Sequence, residues 1–402
     1  MDSWWETPLC SGFLRNIVDE IWSGQFVLAF LPKHTPCGFI SELKLISELR
    51  DIKSFKRINL KLCNLNDPFP IETLLHAHFH LGESDIFVGR RVFDIFNTTE
   101  VGISNLIIFE NLSVPLLKSF KEFLEEYRLF SIKRVSSHRH KILVILDPNQ
   151  FKSSDFAGEA GISKIHFEGI FDRLDQTLAL RYLTELNLGY ITPYIENLIV
   201  SLSQFDYTFS ETLCGHMNLL ENFREICLNH AKTNGWNKVE YIPTNLLSDK
   251  DYWLRWAKGI AEKKNGEIFY HSGYLIIHEK ILEINKRIWQ VGLEILLPMV
   301  ENMRQKILNC PKFIFPVEFY NEKTKVLIED KFEFEIGDIF FLWKNFQIRF
   351  IGFSRIEKEQ LFNFINLCKT IRNDLSHLRI PQTYDITQFY NEYNKVDNIL
   401  KS

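Results

Sequence analysis

Apolar positions follow two rhythms along this chain. Phe13, Ile17, Val18, Ile21 and Trp22 stand at helical spacing, and Gly24 follows at a helix end, which predicts an amphipathic helix over 11–23. Phe26-Val27-Leu28-Ala29-Phe30-Leu31 comes next, an unbroken apolar run of the kind a strand buried on both faces carries. Similar runs stand at 58–65, 106–109, 142–146 and 165–170, separated by segments of helical periodicity such as 113–128. Alternation of this kind predicts an α/β domain over 1–174, a parallel sheet with flanking helices.

From Asp175 to about Cys227 the spacing is continuously helical, through Leu178, Leu180, Leu183 and Leu186 and then Ile195 to Leu202, which predicts a helical lid or linker over 175–230. Residues 228–270 have the weakest periodicity and hold Asn234-Gly235 and the stretch Lys263 to Gly266, so a domain boundary is expected near 230. A helical run from Leu275 to Leu308, broken by Pro298, opens the remainder. Short β-like stretches follow Pro311 and Pro316, and a helix is predicted from about Glu357 to Leu378. The expectation for 231–402 is a mainly helical domain. No internal repeat or coiled-coil heptad run is present.

Composition narrows the class. A chain of 402 residues suits two or three domains, and 46% hydrophobic residues with 35 phenylalanines can fill large cores. The net charge of −4 supplies no global attraction to phosphate backbones or anionic membranes. Seven scattered cysteines without a C-x-x-C pair read as reduced, mostly buried thiols. Met1-Asp2-Ser3-Trp4-Trp5-Glu6 lacks the basic start and apolar stretch of a secretion signal, and no apolar run reaches the length of a membrane span, so a cytoplasmic protein is expected.

Gly24 to Pro32, Leu106 to Glu110 and Leu143 to Asp147 each end in polar residues at one edge of the expected sheet. This layout, with its helical lid, resembles the P-loop NTPases of the AAA+ and STAND type. The resemblance implies a phosphate loop after the first strand, G-x-x-x-x-G-K-[ST], in which glycine amides wrap the phosphates and the Lys reaches them. The chain offers Pro32-Lys33-His34-Thr35-Pro36-Cys37-Gly38-Phe39 instead. Two prolines remove amide donors, Lys33 precedes the only glycine, and Phe109 stands where an acidic partner for Glu110 is needed. A degenerate NTPase-like domain without Walker A is expected, structural or regulatory, with ATP hydrolysis not expected. The alternative is an ordinary doubly wound domain in which Lys33 is a loop lysine and Glu110 a strand-end carboxylate.

At 100° per residue, Phe364, Leu367, Cys368, Ile371, Leu375 and Leu378 share one stripe, Asn373 and His377 lie nearly opposite it, and Arg372 and Ser376 flank them. Arg372-Asn373-x-x-x-His377 on a late helix is similar to the R-x4-6-H element of HEPN ribonuclease domains, at its shortest spacing. The resemblance implies a helical bundle that dimerises, and metal-independent attack of a ribose 2′-OH on the neighbouring phosphate with no cofactor. His377 would be general acid or base, Arg372 would hold the phosphate and Asn373 would orient the pair. Together the two halves resemble prokaryotic antiviral and toxin proteins, which implies RNA as substrate, tRNA included, and a homodimer or subunit of a defence complex. The second reading is a non-enzymatic regulatory or scaffold subunit.

Other candidates carry less. His76, His78 and His80, followed by Glu83 and Asp85, suit a solvated helix face better than a metal site. Lys133, Arg134, His138, Arg139, His140 and Lys141 suit a solvated loop, and Trp289 and Trp343 suit packing anchors. No metal or cofactor is expected, and no G-x-S-x-G, H-E-x-x-H or papain-like cysteine signature occurs.

Overall fold

The computed structural model describes residues 3–402 except 49–51, 53, 82–91, 99, 157–160, 170–172, 188–191, 217–218 and 322–324. Five strands, β1 (Phe26–Phe30), β2 (Ser54–Asn59), β3 (Asn105–Glu110), β4 (Lys141–Leu146) and β5 (Ile162–His166), form one parallel sheet in the order β2-β3-β4-β1-β5. The register sets Phe26 against Ile142 and Ile162, and Leu28 against Val144 and Lys164. Phe120, Phe123 and Tyr127 of the helix Leu117–Ser131 join Phe26, Leu28, Phe109 and Val144 in one core, while the helix Pro8–Trp22 packs against β1 and β4.

The α/β expectation holds for this sheet, with shifts at its two edges. β2 begins at Ser54 and stops at Asn59, and Leu60–Leu62 turns into a 3-10 helix that leaves Leu62 and Leu65 exposed. β5 runs over Ile162–His166 and not 165–170. Both are edge strands, half-covered, and tolerate Lys56, Arg57, Ser163 and Lys164 where an inner strand would need apolar side chains.

The chain forms two compact units that no single cut separates. The first comprises Met1–Leu183, Gln204–Glu211 and His230–Tyr274; the second comprises Thr184–Ser203, Thr212–Asn229 and Leu275–Ser402. The first unit also holds the antiparallel hairpin β6 (Ala261–Lys264) and β7 (Glu267–Tyr270), closed by Asn265 and Gly266 with φ of 49° and 86°. Left-handed conformation at both turn positions is the requirement that Asn-Gly meets best.

In the second unit the predicted run 275–308 is divided. A helix over Ile281–Val291 passes through a π-turn, Gly292–Leu296, into Leu297–Asn309. Pro298 has no N–H to return to the preceding turn, so the ladder loosens just before it. A Cβ on Gly292 would sit 2.5 Å from Leu375 Cδ2, so glycine permits the close approach of this element to the helix Arg355–Ser376. Trp289 Nε1 donates to the Leu375 carbonyl at 2.8 Å, and Trp343 packs on Phe350, Phe313 and Phe362. Two short ribbons, β8 (Phe313–Ile314) with β11 (Arg349–Phe350) and β9 (Phe319–Asn321) with β10 (Val326–Ile328), follow the proline-bounded stretch. Among the described residues no cysteine forms a disulfide, and no helix is long and apolar enough to cross a membrane.

Glu72, in the first turn of the helix Pro70–His78, is 5% exposed; burial, aided by Glu126, Asp67 and Glu122, pushes its carboxyl up to about 7. Folding therefore binds a proton that the unfolded chain releases between the ordinary carboxylate range and pH 7, and stability falls as pH rises across that window. Glu72→Gln is expected to stabilise the protein by about 3 kcal/mol at pH 8 and to change little at pH 4, read by urea unfolding at the two pH values.

Candidate functional site

The helix Arg355–Ser376 starts at a capping box. Ser354 Oγ accepts the Glu357 N–H, and Glu357 Oε2 accepts the Ser354 N–H. Leu361, Phe364, Ile365, Cys368, Ile371 and Leu375 are buried along it. Leu367 is half-buried, and Leu378 is 74% exposed because the helix has already ended: His377 is its C-cap and Leu378 takes a φ of 58°.

The three residues singled out by the sequence occupy the last turns of this helix. His377 is exposed, and its N–H donates to the carbonyls of Asn373 and Asp374. Asn373 is half-buried. Arg372 lies at the margin of the buried stripe, and its guanidinium donates to Glu335 Oε2 at 2.6 Å, where Glu335 caps the helix Ile336–Lys344. Five positions on an α-helix turn about 140° from the starting direction, so Arg372 and His377 face different ways within one chain. The pairing with Glu335 had no sequence signal, since the two residues lie on different elements.

The carboxyl edge of the sheet is engaged with itself. After β1 the Lys33 N–H donates to the Ala257 carbonyl and the Thr35 N–H to that of Pro32. His34 is buried, with Nε2 3.0 Å from Glu262 Oε2; Glu262 also accepts the N–H groups of Gly169 and Lys263 and the Tyr252 hydroxyl. A Cβ on Gly169 would fall 2.4 Å from the His34 ring, which explains a glycine there. Burial and the Glu262 carboxylate push the Tyr252 phenol well up. Glu110 accepts from Arg57 Nε and Nη2, and Asp147 accepts from the Asn149 backbone and the Asn149 and Gln150 amides.

A second polar centre of the first unit escaped sequence reasoning. Asp206, His230 and His271 converge, with Asp206 Oδ2 3.3 Å from His230 Nε2 and 3.7 Å from His271 Nε2. Asp206 Oδ1 accepts the Phe209 N–H and the Thr208 hydroxyl, as a helix N-cap does. Phe209 and Trp236 wall the His271 ring at 4.8 and 4.7 Å. Although these donor types could ligate a metal, the Gly273 N–H donates to His271 Nδ1, which assigns the neutral ring's proton to Nε2, facing Asp206. The arrangement is a buried carboxylate serving two imidazoles and a helix end. A metal would need the Nε2 lone pair that this tautomer lacks.

His76 and His78 lie on the helix Pro70–His78 and His80 just beyond it; Glu83 and Asp85 lie outside the described residues. In the basic cluster, Lys141 donates to the Ile103 carbonyl, Arg139 to the Arg134 carbonyl and Arg134 to Asn97. His140 is buried, and burial with nearby Arg134 and Lys141 lowers it to about 4. The chain matches no family model and no curated protein.

Proposed function

We propose that the chain is a metal-independent endoribonuclease of HEPN type serving prokaryotic antiviral defence, with the NTPase-like first unit as its sensing or regulatory part. The observation that carries this reading is the placement of Arg372-Asn373-x-x-x-His377 at the end of a 22-residue packed helix, with His377 exposed to a substrate. His377 would move the proton of the 2′-OH or the leaving oxygen, Arg372 would hold the phosphate, and Asn373 would orient them. Because Arg372 and His377 diverge in one chain, the scissile phosphate would be gripped across a homodimer.

The test is cleavage of total RNA and tRNA without added metal, at matched folded concentrations. His377→Ala is expected to lose at least about 100-fold in rate; equal cleavage by both proteins refutes the reading. Glu335 holds the guanidinium that a phosphate would occupy, so Glu335→Gln is expected to raise cleavage about 3-fold at low substrate, in keeping with an exposed pair worth under about 1 kcal/mol.

The Arg372–Glu335 pair and the filled loop after β1 favour a second reading, a non-enzymatic scaffold subunit of a defence complex. In that case Arg372→Ala would change assembly, read by sedimentation, with no RNA cleavage to lose.

A further inference from the structure

We infer that a groove of about 430 Å³ between the helices Arg355–Ser376 and Thr383–Lys401 receives an unpaired RNA base bearing an exocyclic amine, adenine or cytosine, and so sets the base preference of cleavage; this rests on the ribonuclease reading above. The volume falls in the range of about 300–1,000 Å³ usual for small-ligand sites.

Helical spacing links the groove to the proposed chemistry. Asn363, Asn366 and Thr370 line it, and steps of three and four residues carry the same face on to Asn373 and His377. A base seated there would leave its own phosphate near the end of the helix. The lining itself selects a base over a phosphate. Among the described residues no Lys or Arg lines the groove, so nothing in it holds an anion, and the carboxylate of Asp385 repels one. Half-buried Leu367 on its wall adds an apolar surface beside the buried Phe364 ring, which is stacked on Phe389. Tyr384 at the lip is 69% exposed, placed to stack on a base, as aromatic side chains do with single-stranded RNA.

The edge of the base would meet primary amides and a carboxylate. Asn and Gln pair with the amine and ring nitrogen of adenine, and Asp accepts from the cytosine amine. Asn366 and Gln388 stand on opposite walls. Asp385 is half-buried, and burial with neighbouring Asp374 raises its carboxyl, a cost that an amine donor would relieve. Uracil has a carbonyl at the corresponding position, which would meet the acceptor-only carboxylate of Asp385 oxygen against oxygen.

The test uses the full-length protein and oligonucleotides of 2′-O-methyl adenosine, cytidine or uridine, which lack the attacking hydroxyl, with binding followed by fluorescence anisotropy. Adenosine or cytidine oligomers are expected to bind at least about 5-fold tighter than uridine oligomers, the lower limit for one good base-edge pair. The triple variant Asn366→Ala/Asp385→Ala/Gln388→Ala, all on the surface of the groove, is expected to erase that difference while leaving uridine binding no weaker. Equal or absent binding of all three oligomers by the wild type, or a preference that survives the triple variant, overturns the inference. Mapping of cut sites on unmodified mixed-sequence RNA separates the two readings. Cleavage that depends on His377 but ignores base identity sinks the groove and keeps the nuclease; base-selective binding without cleavage keeps the groove and sinks the nuclease.

Discussion

Asp206→Ala is expected to destabilise the protein by about 3–5 kcal/mol, the range seen when one member of a buried charged group is removed and its partners stay behind. Asp206 is 4% exposed and accepts the Phe209 amide and the Thr208 hydroxyl, with His230 and His271 on its other oxygen. Alanine would strip the cap from the helix Tyr207–Cys214, take the acceptor from His230 and remove the carboxylate 3.7 Å from the stacked His271 ring. Burial alone would raise this carboxyl, but the hydrogen bond from His230, the electrostatic influence of the two imidazoles and the Thr208 hydroxyl together hold it well below the usual carboxylate range. A depressed carboxyl contributes stability that is complete above its unfolded value and is lost as pH falls toward the folded one. The gap between wild type and Asp206→Ala in urea unfolding is therefore expected to be full at pH 7 and to narrow below about pH 4. Asp206→Asn keeps an acceptor for the helix amide and is expected to cost less. A gap under about 1 kcal/mol at pH 7 would show that the imidazoles and the helix end find other partners.

The legibility of the fold followed burial. β1, β3 and β4 are covered on both faces, so their apolar runs matched the observed strands to within one residue at either end. The hairpin β6 and β7 carries Glu262, Lys263, Lys264 and Glu267, which gives no apolar pattern; its Asn265-Gly266 turn was the one available signal. The helix Thr383–Lys401 buries only Ile386, Phe389 and Val396, too sparse a stripe for periodicity to reveal, and with it the far wall of the groove stayed hidden. For the candidate site, periodicity placed His377 outward but could not supply Glu335, which meets Arg372 only through tertiary packing. Asp206 lies on one segment of the first unit and His230 and His271 far apart on another, and no spacing rule joins them.

Glu262→Ala carries the second large effect, also about 3–5 kcal/mol, and it bears on the loop that follows β1. Glu262 is 1% exposed and gathers four donors: His34 Nε2, the N–H groups of Gly169 and Lys263 and the Tyr252 hydroxyl. Removing the carboxylate leaves these buried donors with a void in place of an acceptor, and each unmet donor costs about 1–3 kcal/mol before relaxation. Glu262→Gln retains one oxygen acceptor and the volume, and is expected to lose about half as much. The comparison also separates two accounts of the segment Pro32 to Gly38. If His34 is fixed by Glu262, Glu262→Ala should loosen this loop, seen as faster amide exchange at Thr35 and Cys37, while ATP with magnesium gives no heat of binding with either protein. Binding heat with the wild type would instead mean that the loop opens to phosphates despite Pro32 and Pro36, and the first unit would then be a nucleotide-responsive switch.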